Sequence, residues 1–343
     1  MTLLTMTERG LFCAAGDFHI DPWLPVPRAV ITHAHGDHAR WGCDAYLGAR
    51  EGEHVMRTRL GPDARIRTLE FGAAVVMNGV RVSLHPAGHI LGSAQVRVEH
   101  GGEVWVVSGD YKAEPDATCS AFEPVRCDVF ITESTFGLPV YHWRPQAEVF
   151  DEIGAWWRGN AEQGRASVLL GYALGKAQRM QAGLLGRECG PIWTHGAVER
   201  LNADYRASGI ALPATRHAAE APRGHDFAGA LIVAPPSANG STWLRRFGDA
   251  SIAFASGWMQ VRGMRRQRGM DRGFVLSDHV DWTALLDSIA ATGAERVWVT
   301  HGYREPVVRY LRERGFDAEA VASRWEGELD TDEPGADAVG EVS

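Results

Sequence analysis

The stretch Val30–Arg40 reads VITHAHGDHAR, and its seven central residues, Thr32 to His38, hold three histidines and one aspartate. Neutral imidazole is the commonest protein ligand for zinc and similar ions, and carboxylate is a harder partner for the same ions. His33 and His35 sit two apart, so both can lean toward one point from an extended or turning backbone. Asp37 and His38 are adjacent, so their side chains diverge and can serve a second point nearby. One string can therefore supply two neighbouring ions. Ordinary loop composition is the bland alternative, but 14 histidines spread over 343 residues rarely fall this densely by chance.

The string sits at the end of a β-rich run, RAVITH (28–33), and the runs around it share that habit. AAVVM (73–77), VRVSLHPA (80–87), AQVRVEH (94–100), EVWVVSGD (103–110) and DVFITES (128–134) are mostly short Val/Ile-rich runs of the kind that form strands, and several carry a potential ligand at the end. His33, Asp110 and Glu133 lie at such ends. A sheet holds these positions and points them into the loops above it, where active-site residues usually sit. From Pro145 the pattern changes. QAEVFDEIGAWWR carries Val149, Ile153, Trp156 and Trp157 on one helical stripe, and a strand–helix alternation follows to about residue 256. That rhythm predicts a mostly parallel sheet with covered faces, as a separate domain or an insertion. The last part returns to the earlier pattern of strands that deliver a ligand. GFVLSDH (273–279) reads as a strand ending on His279, and ERVWVTHG (295–302) as one ending on His301.

A two-ion hydrolytic centre needs further histidines and a bridging carboxylate. His89 in HPAGHILGSAQV, Asp110 in SGDY and His301 in VTHGY stand at matching places. Bulk composition permits an enzyme of this kind. Hydrophobic residues make up 45% and charged residues 23%, as in soluble globular proteins. No apolar run is long enough to span a membrane, and the N-terminus lacks the basic start of a signal peptide. The five cysteines are odd in number and form no C-x-x-C pair, which fits free thiols in a reducing cytoplasm. A net charge of −8 speaks against non-specific coating of nucleic acid but leaves a nuclease open. The tail from 326 to 343 carries seven acids and no base, and reads as disordered.

THAHGDH, then PAGHILGS, then SGDY, resembles the motif series of the metallo-β-lactamase superfamily, and Asp21 in FHIDP resembles its first, structural aspartate. ITESTFG with Glu133, LSDHVD with His279 and VTHG with His301 are similar to the three further motifs of the β-CASP branch, whose members cleave nucleic acids. FHIDPWLPV and GYALGKAQRM most resemble the bacterial exonuclease-like group associated with DNA ligase and a helicase. The resemblance covers residues 10–325. It implies an α/β fold, an αββα metallo-β-lactamase sandwich formed by 1–144 and 269–325, with an inserted β-CASP α/β domain at 145–268. It also implies two divalent ions (zinc, manganese or iron). One would take His33, His35 and His89, the other Asp37, His38 and His301. Asp110 would bridge, and Asp21 would orient ligands from behind.

The chemistry that follows is attack on phosphorus by a hydroxide shared between the cations, with His279, oriented by Glu133, protonating the departing oxygen. Asp37, His279 and Glu133 are thus the candidate catalytic residues. Ser134, Thr135, Lys176, Arg179 and the cluster RGMRRQRGMDR (262–272) are candidates for phosphate contact, and Trp258 for base stacking. The expected function is a metal-dependent DNA nuclease in repair, acting on single-stranded DNA in the cytoplasm beside an ATP-dependent ligase and a helicase. An RNA-processing nuclease of the same branch shares all these motifs. A small-molecule metallo-hydrolase explains the ions but neither the insertion nor the Glu133/His279/His301 set. A dead scaffold subunit does not fit an intact ligand set.

Overall fold

The computed structural model describes residues 2–261 and 270–324. The acidic tail expected at 326–343 and Arg262, Arg265, Arg266 and Arg268 of the basic cluster lie outside the described residues. The chain divides into two compact units, one holding Met1–Trp143, Ala207–Ile210 and the segment from Asp278, the other holding Arg144–Arg206 and Ala211–Ser277.

The first unit contains two sheets. Strands β1 (Thr5–Thr7), β2 (Gly10–Cys13), β3 (Phe18–Ile20), β4 (Ala29–Val30), β5 (Tyr46–Ala49) and β6 (Ile66–Leu69) pair in sequence order. The second sheet runs β19-β18-β11-β10-β9-β8-β7, made of β7 (Ala74–Met77), β8 (Val80–Pro86), β9 (Ala94–His100), β10 (Glu103–Val107), β11 (Val129–Ser134), β18 (Arg296–Gly302) and β19 (Asp317–Ala320). The strict two-residue period of these strands explains their packing. Val80, Val82 and Leu84 of β8 and Trp105 and Val107 of β10 face Leu11, Ile20, Val30 and Leu47 of the first sheet in one core. The alternate residues Val106, Phe130, Val297 and Val299 pack on the far side against helices α5 (Trp282–Thr292) and α6 (Arg304–Arg312). On the outer face of the first sheet, Met56 of helix α1 (Glu53–Leu60) lies against Gly48. The unit is layered helix, sheet, sheet, helix.

The second unit has one sheet, ordered β14-β13-β15-β12-β16-β17, from β12 (Ser167–Leu170), β13 (Ile192–Thr194), β14 (Thr215–His217), β15 (Leu231–Ala234), β16 (Ser251–Ala255) and β17 (Arg272–Phe274). Every pair in it is parallel. The central strands SVLL and LIVA are buried along their whole length, as parallel strands covered on both faces are. Helices α2 (Gln146–Glu162), α3 (Lys176–Gly183) and α4 (Gly196–Ala207) supply cover, α2 through the buried stripe Val149, Ile153, Trp156 and Trp157.

Two expectations change. The boundary falls at Ser277/Asp278 rather than 268/269, because β17 extends the second unit's sheet beside β16. GFVLSDH is therefore not one strand ending on His279. Its strand stops at Phe274, and His279 belongs to the first unit. Among the described residues, no helix is long and apolar enough to cross a membrane.

Candidate metal centre

The expected ligands converge in the first unit. Strands β10, β11 and β18 are mutually parallel, so their C-terminal ends line one edge. That edge carries Asp110 just past β10, Glu133 in β11 and His301 in β18. His89 follows β8, which runs in the same direction as β10 because each is antiparallel to β9. The loop after β4 contributes His33, His35, Asp37 and His38. The turn carrying His89 needs Gly92 in a left-handed conformation (φ 74°), and a side chain there would meet the Gly52 backbone at 2.2 Å. Glu51 clamps this turn, accepting from Gly92 N at 3.1 Å and from Ser120 N and Oγ at 3.0 and 2.8 Å.

Each of four inward-facing imidazoles has its other nitrogen engaged, and the partners fix the tautomers. His89 Nδ1 lies 2.8 Å from Asp278 O, a carbonyl that can only accept. His38 Nδ1 lies 2.8 Å from Asp21 Oδ2. His33 Nδ1 lies 3.0 Å from Thr32 Oγ1, whose own proton goes to Asp21 Oδ2 at 2.5 Å. His301 Nδ1 lies 3.2 Å from Thr300 Oγ1, whose proton goes to Thr132 O at 3.0 Å. All four therefore carry the proton on Nδ1 and turn Nε2 inward, the usual arrangement behind metal-bound histidines. Asp21 is the hub of this support. It accepts from Thr32 N at 2.7 Å as well, and holds a left-handed backbone (φ 43°) that costs a non-glycine residue energy.

The inward atoms crowd together. His35 Nδ1 is 3.1 Å from both His33 Nε2 and His89 Nε2. The three rings stand nearly perpendicular to one another, at 79° to 86°. Donor atoms sharing a zinc-type ion at ~2.0–2.1 Å are separated by about 3.0–3.4 Å, so the triad has ligand spacing. Asp110 lies against it, with Oδ2 3.6 Å from His33 Nε2 and 3.9 Å from His89 Nε2. These four residues can hold one ion. The same Oδ2 is 3.6 Å from His38 Nε2, which is also 3.6 Å from Asp37 Oδ2. Asp110 Oδ1 is buried and takes no aligned hydrogen bond from the described residues, although His301 Nε2 stands 2.9 Å away. One carboxylate thus touches both groups, as a bridge would. The second group is looser, with the His38 and His301 rings 6.1 Å apart.

The electrostatics point the same way. Burial pushes His33 well below the ordinary imidazole range, helped by His38. Burial does the same to His89, helped by His279 and His35. Both are neutral lone-pair donors at neutral pH, the form that binds metal. For His38 burial also acts downward, but Asp37, Asp110 and Asp21 outweigh it and hold the pKa at about 10. Burial would raise Asp110, yet His38 and His301 hold it well below the usual carboxylate range. Three carboxylates around one imidazole call for positive charge at that point, and the donor set of histidine and carboxylate suits a divalent ion.

Beside the centre, His279 Nδ1 lies 2.8 Å from both oxygens of Glu133. Tyr111 N also donates to Glu133, at 2.9 Å. The bidentate contact fixes the His279 ring 4.7 Å from that of His89 and turns its Nε2 away from the carboxylate. Asp110, Glu133 and His279 form a second group close enough to share an ion.

The phosphate-contact candidates fare differently. Lys176 and Arg179 are buried inside the second unit, 0% and 3% exposed. Lys176 Nζ donates to Leu276 O at 2.9 Å, and Arg179 binds Gln146 Oε1 and Ser277 O. These cations clamp backbone at the end of β17; they do not present charge to a phosphate. Ser134 Oγ donates to His301 O at 2.6 Å and is likewise engaged. Thr135 Oγ1 is buried, with no hydrogen-bond partner among the described residues. Trp258 packs on the second unit's core, and Arg272 lies over the Phe274 ring. Sequence reasoning missed Thr32 and Thr300, although threonine precedes histidine in both motifs. It also missed Trp41, 77% exposed and three residues past His38.

No family model matches the chain. It is 32% identical over 317 residues to a "Probable DNA ligase" of Opitutus terrae, covering 92% of this chain and 30% of that protein. It is 29% identical over 180 residues to "Cleavage and polyadenylation specificity factor 73" of Drosophila melanogaster, covering 48% of this chain and 26% of that protein. It is 30% identical over 118 residues to "Endoribonuclease YSH1" of Yarrowia lipolytica, covering 34% and 14%. The chain spans less than a third of the length of these curated relatives. A protein of unknown function from Enterococcus faecalis V583 shares the fold, with a TM-score of 0.59 at 12% identity over 87% of this chain and 80% of that one.

Proposed function

We propose that the protein is a divalent-metal-dependent nuclease of the metallo-β-lactamase superfamily, β-CASP branch, with single-stranded DNA as its substrate. The observation that carries this reading is the Asp110 carboxylate set between two groups of inward-turned imidazoles. His33, His35 and His89 would hold one ion, Asp37, His38 and His301 a second, with Asp110 common to both. Two such ions supply Lewis acidity and a nucleophilic water at neutral pH. The residues do the rest. Asp21, Thr32 and Thr300 keep Nδ1 protonated so that Nε2 faces inward. His279, aligned by Glu133, protonates the departing oxygen of the cleaved strand. Thr135 Oγ1 offers a hydrogen bond to a phosphate oxygen, and Trp41 a stacking face for a base. The first unit would be the metallo-β-lactamase domain and the second the β-CASP domain.

The relative named for ligation supports DNA, because the match extends over 92% of this chain. It also fits a place beside a ligase, while the helicase partner rests on the motif resemblance alone. A second reading, RNA cleavage, is favoured by the relatives named as an endoribonuclease and as a cleavage factor, whose matches cover 34% and 48% of the chain. Chemistry at phosphorus is common to both, and the 2′-hydroxyl separates them. The deciding experiment incubates 5′-labelled DNA and RNA oligonucleotides of one sequence with the protein and Mn²⁺ or Zn²⁺, with Asp37→Asn as control. Cleavage of DNA alone is expected. Preferential RNA cleavage establishes the second reading, and cleavage of neither by metal-loaded protein overturns both.

A further inference from the structure

We propose that Arg59, held over Gly36 of the metal-binding loop, binds a substrate phosphate next to the scissile one. The inference rests on the nuclease reading and deepens it. Gly36 lies between His35 and Asp37, and its backbone is not left-handed, so conformation does not demand glycine there. Space does. A methyl group at Gly36 would fall 1.4 Å from Arg59 Nη2, 2.7 Å from Cζ and 3.5 Å from Nε. The guanidinium therefore lies against the loop, and a side chain at Gly36 would have to push its flexible end aside.

The place is open to substrate. Thr32, His33, Ala34, His38 and Ala39 are buried, whereas His35, Gly36 and Asp37 are half-exposed, as is Arg59. The guanidinium thus sits at the lip of the centre rather than behind it. A cation at the rim attracts an anionic strand, and the planar fork of arginine matches two phosphate oxygens. The phosphodiester is common to DNA and RNA, so the contact sets affinity and register rather than sugar choice.

The test compares wild type, Arg59→Gln, Arg59→Lys and Gly36→Ala on the labelled DNA oligonucleotide, with its RNA counterpart as a second arm, over a range of NaCl concentrations. Metal per chain is measured for each. Arg59→Gln is expected to raise KM about tenfold, the low end for a charge-assisted hydrogen bond. It should also flatten the slope of log kcat/KM against log salt by about 0.7, one phosphate contact on a single strand. Turnover and metal content should stay within about twofold. Arg59→Lys should recover the salt slope but not the whole of KM. Gly36→Ala should reproduce Arg59→Gln without touching the arginine, and the double variant should be no worse than either. Unchanged KM and slope in active enzyme overturn the proposal, as does loss of bound metal, which would make Arg59 a prop for the loop. If wild type neither binds nor cuts either oligonucleotide, the nuclease reading fails and takes this inference with it.

Discussion

Thr194-His195-Gly196 and Thr300-His301-Gly302 are one tripeptide in two places, each at the end of a tryptophan-bearing strand. In the first unit His301 Nε2 reaches Asp110, and Thr300 Oγ1 joins His301 Nδ1 to Thr132 O. In the second unit His195 Nδ1 accepts from Ala197 N at 3.2 Å at the start of α4, and its ring meets Trp243 at 4.9 Å. Thr194 Oγ1 turns to Glu199 Oε2 and Arg216 O. Gly302 is left-handed (φ 84°) and turns the chain, whereas Gly196 enters a helix. The difference comes from the neighbours. Strand β18 lies beside β11, next in turn to β10, and these bring Glu133 and Asp110; β13 lies between β14 and β15. The same tripeptide takes different partners according to what the adjacent strands offer across the sheet.

The comparison breaks most sharply by substitution. His301→Ala should abolish metal-dependent cleavage, while His195→Ala should leave the rate within about twofold, as for a residue outside the site. A measured loss of cleavage in both would dissolve the distinction. Next in size, His279→Ala should slow cleavage of a phosphodiester by about 10²–10⁴-fold, and a nitrophenyl ester far less, because its leaving group needs no proton. Equal losses would remove His279 as the acid.

Thr300→Val should weaken metal binding by about 10–100-fold in a competition titration with a chelating dye, while Thr194→Val should not change it. Metal removal gives the smallest effect but separates the units directly. Saturation at 100 times Kd adds about 2.7 kcal/mol to the unit that binds. Stripping with a chelator should therefore increase hydrogen exchange in β10, β11 and β18 and leave β12 and β15 unchanged. Uniform loosening of both units would argue that the ions do not reside where Asp110 lies.

Much of the centre was legible because coordination demands particular residue types at fixed chain spacing. His33, His35, Asp37, His38, His89, Asp110 and His301 all come from such strings, and the structure brings them around one carboxylate. What the residues could not show is which cations face water. Lys176 and Arg179 read as candidates for phosphate contact, yet their heads end on backbone carbonyls that the chain reaches only at Leu276 and Ser277. Arg59 carried the opposite disguise. It sits in a short polar helix, and its relation to Gly36, 23 positions earlier, depends on how α1 packs on β5. His279 was legible as chemistry but not as structure, since a continuous apolar run conceals the point where the chain passes from one unit to the other.

The first unit is interrupted in sequence, and this sets an order of events during synthesis. His33 through Asp110 emerge early, and His301 follows roughly 190 residues later. At about 5–20 residues per second, some 10–40 s pass between them. Throughout most of that interval the nascent chain carries His33, His35, His89 and Asp110 but neither His279 nor His301. The whole parallel sheet of the second unit is translated in between. On the proposed reading the proton donor and the last ligand both follow that sheet, so cleavage would wait until the second unit has been made.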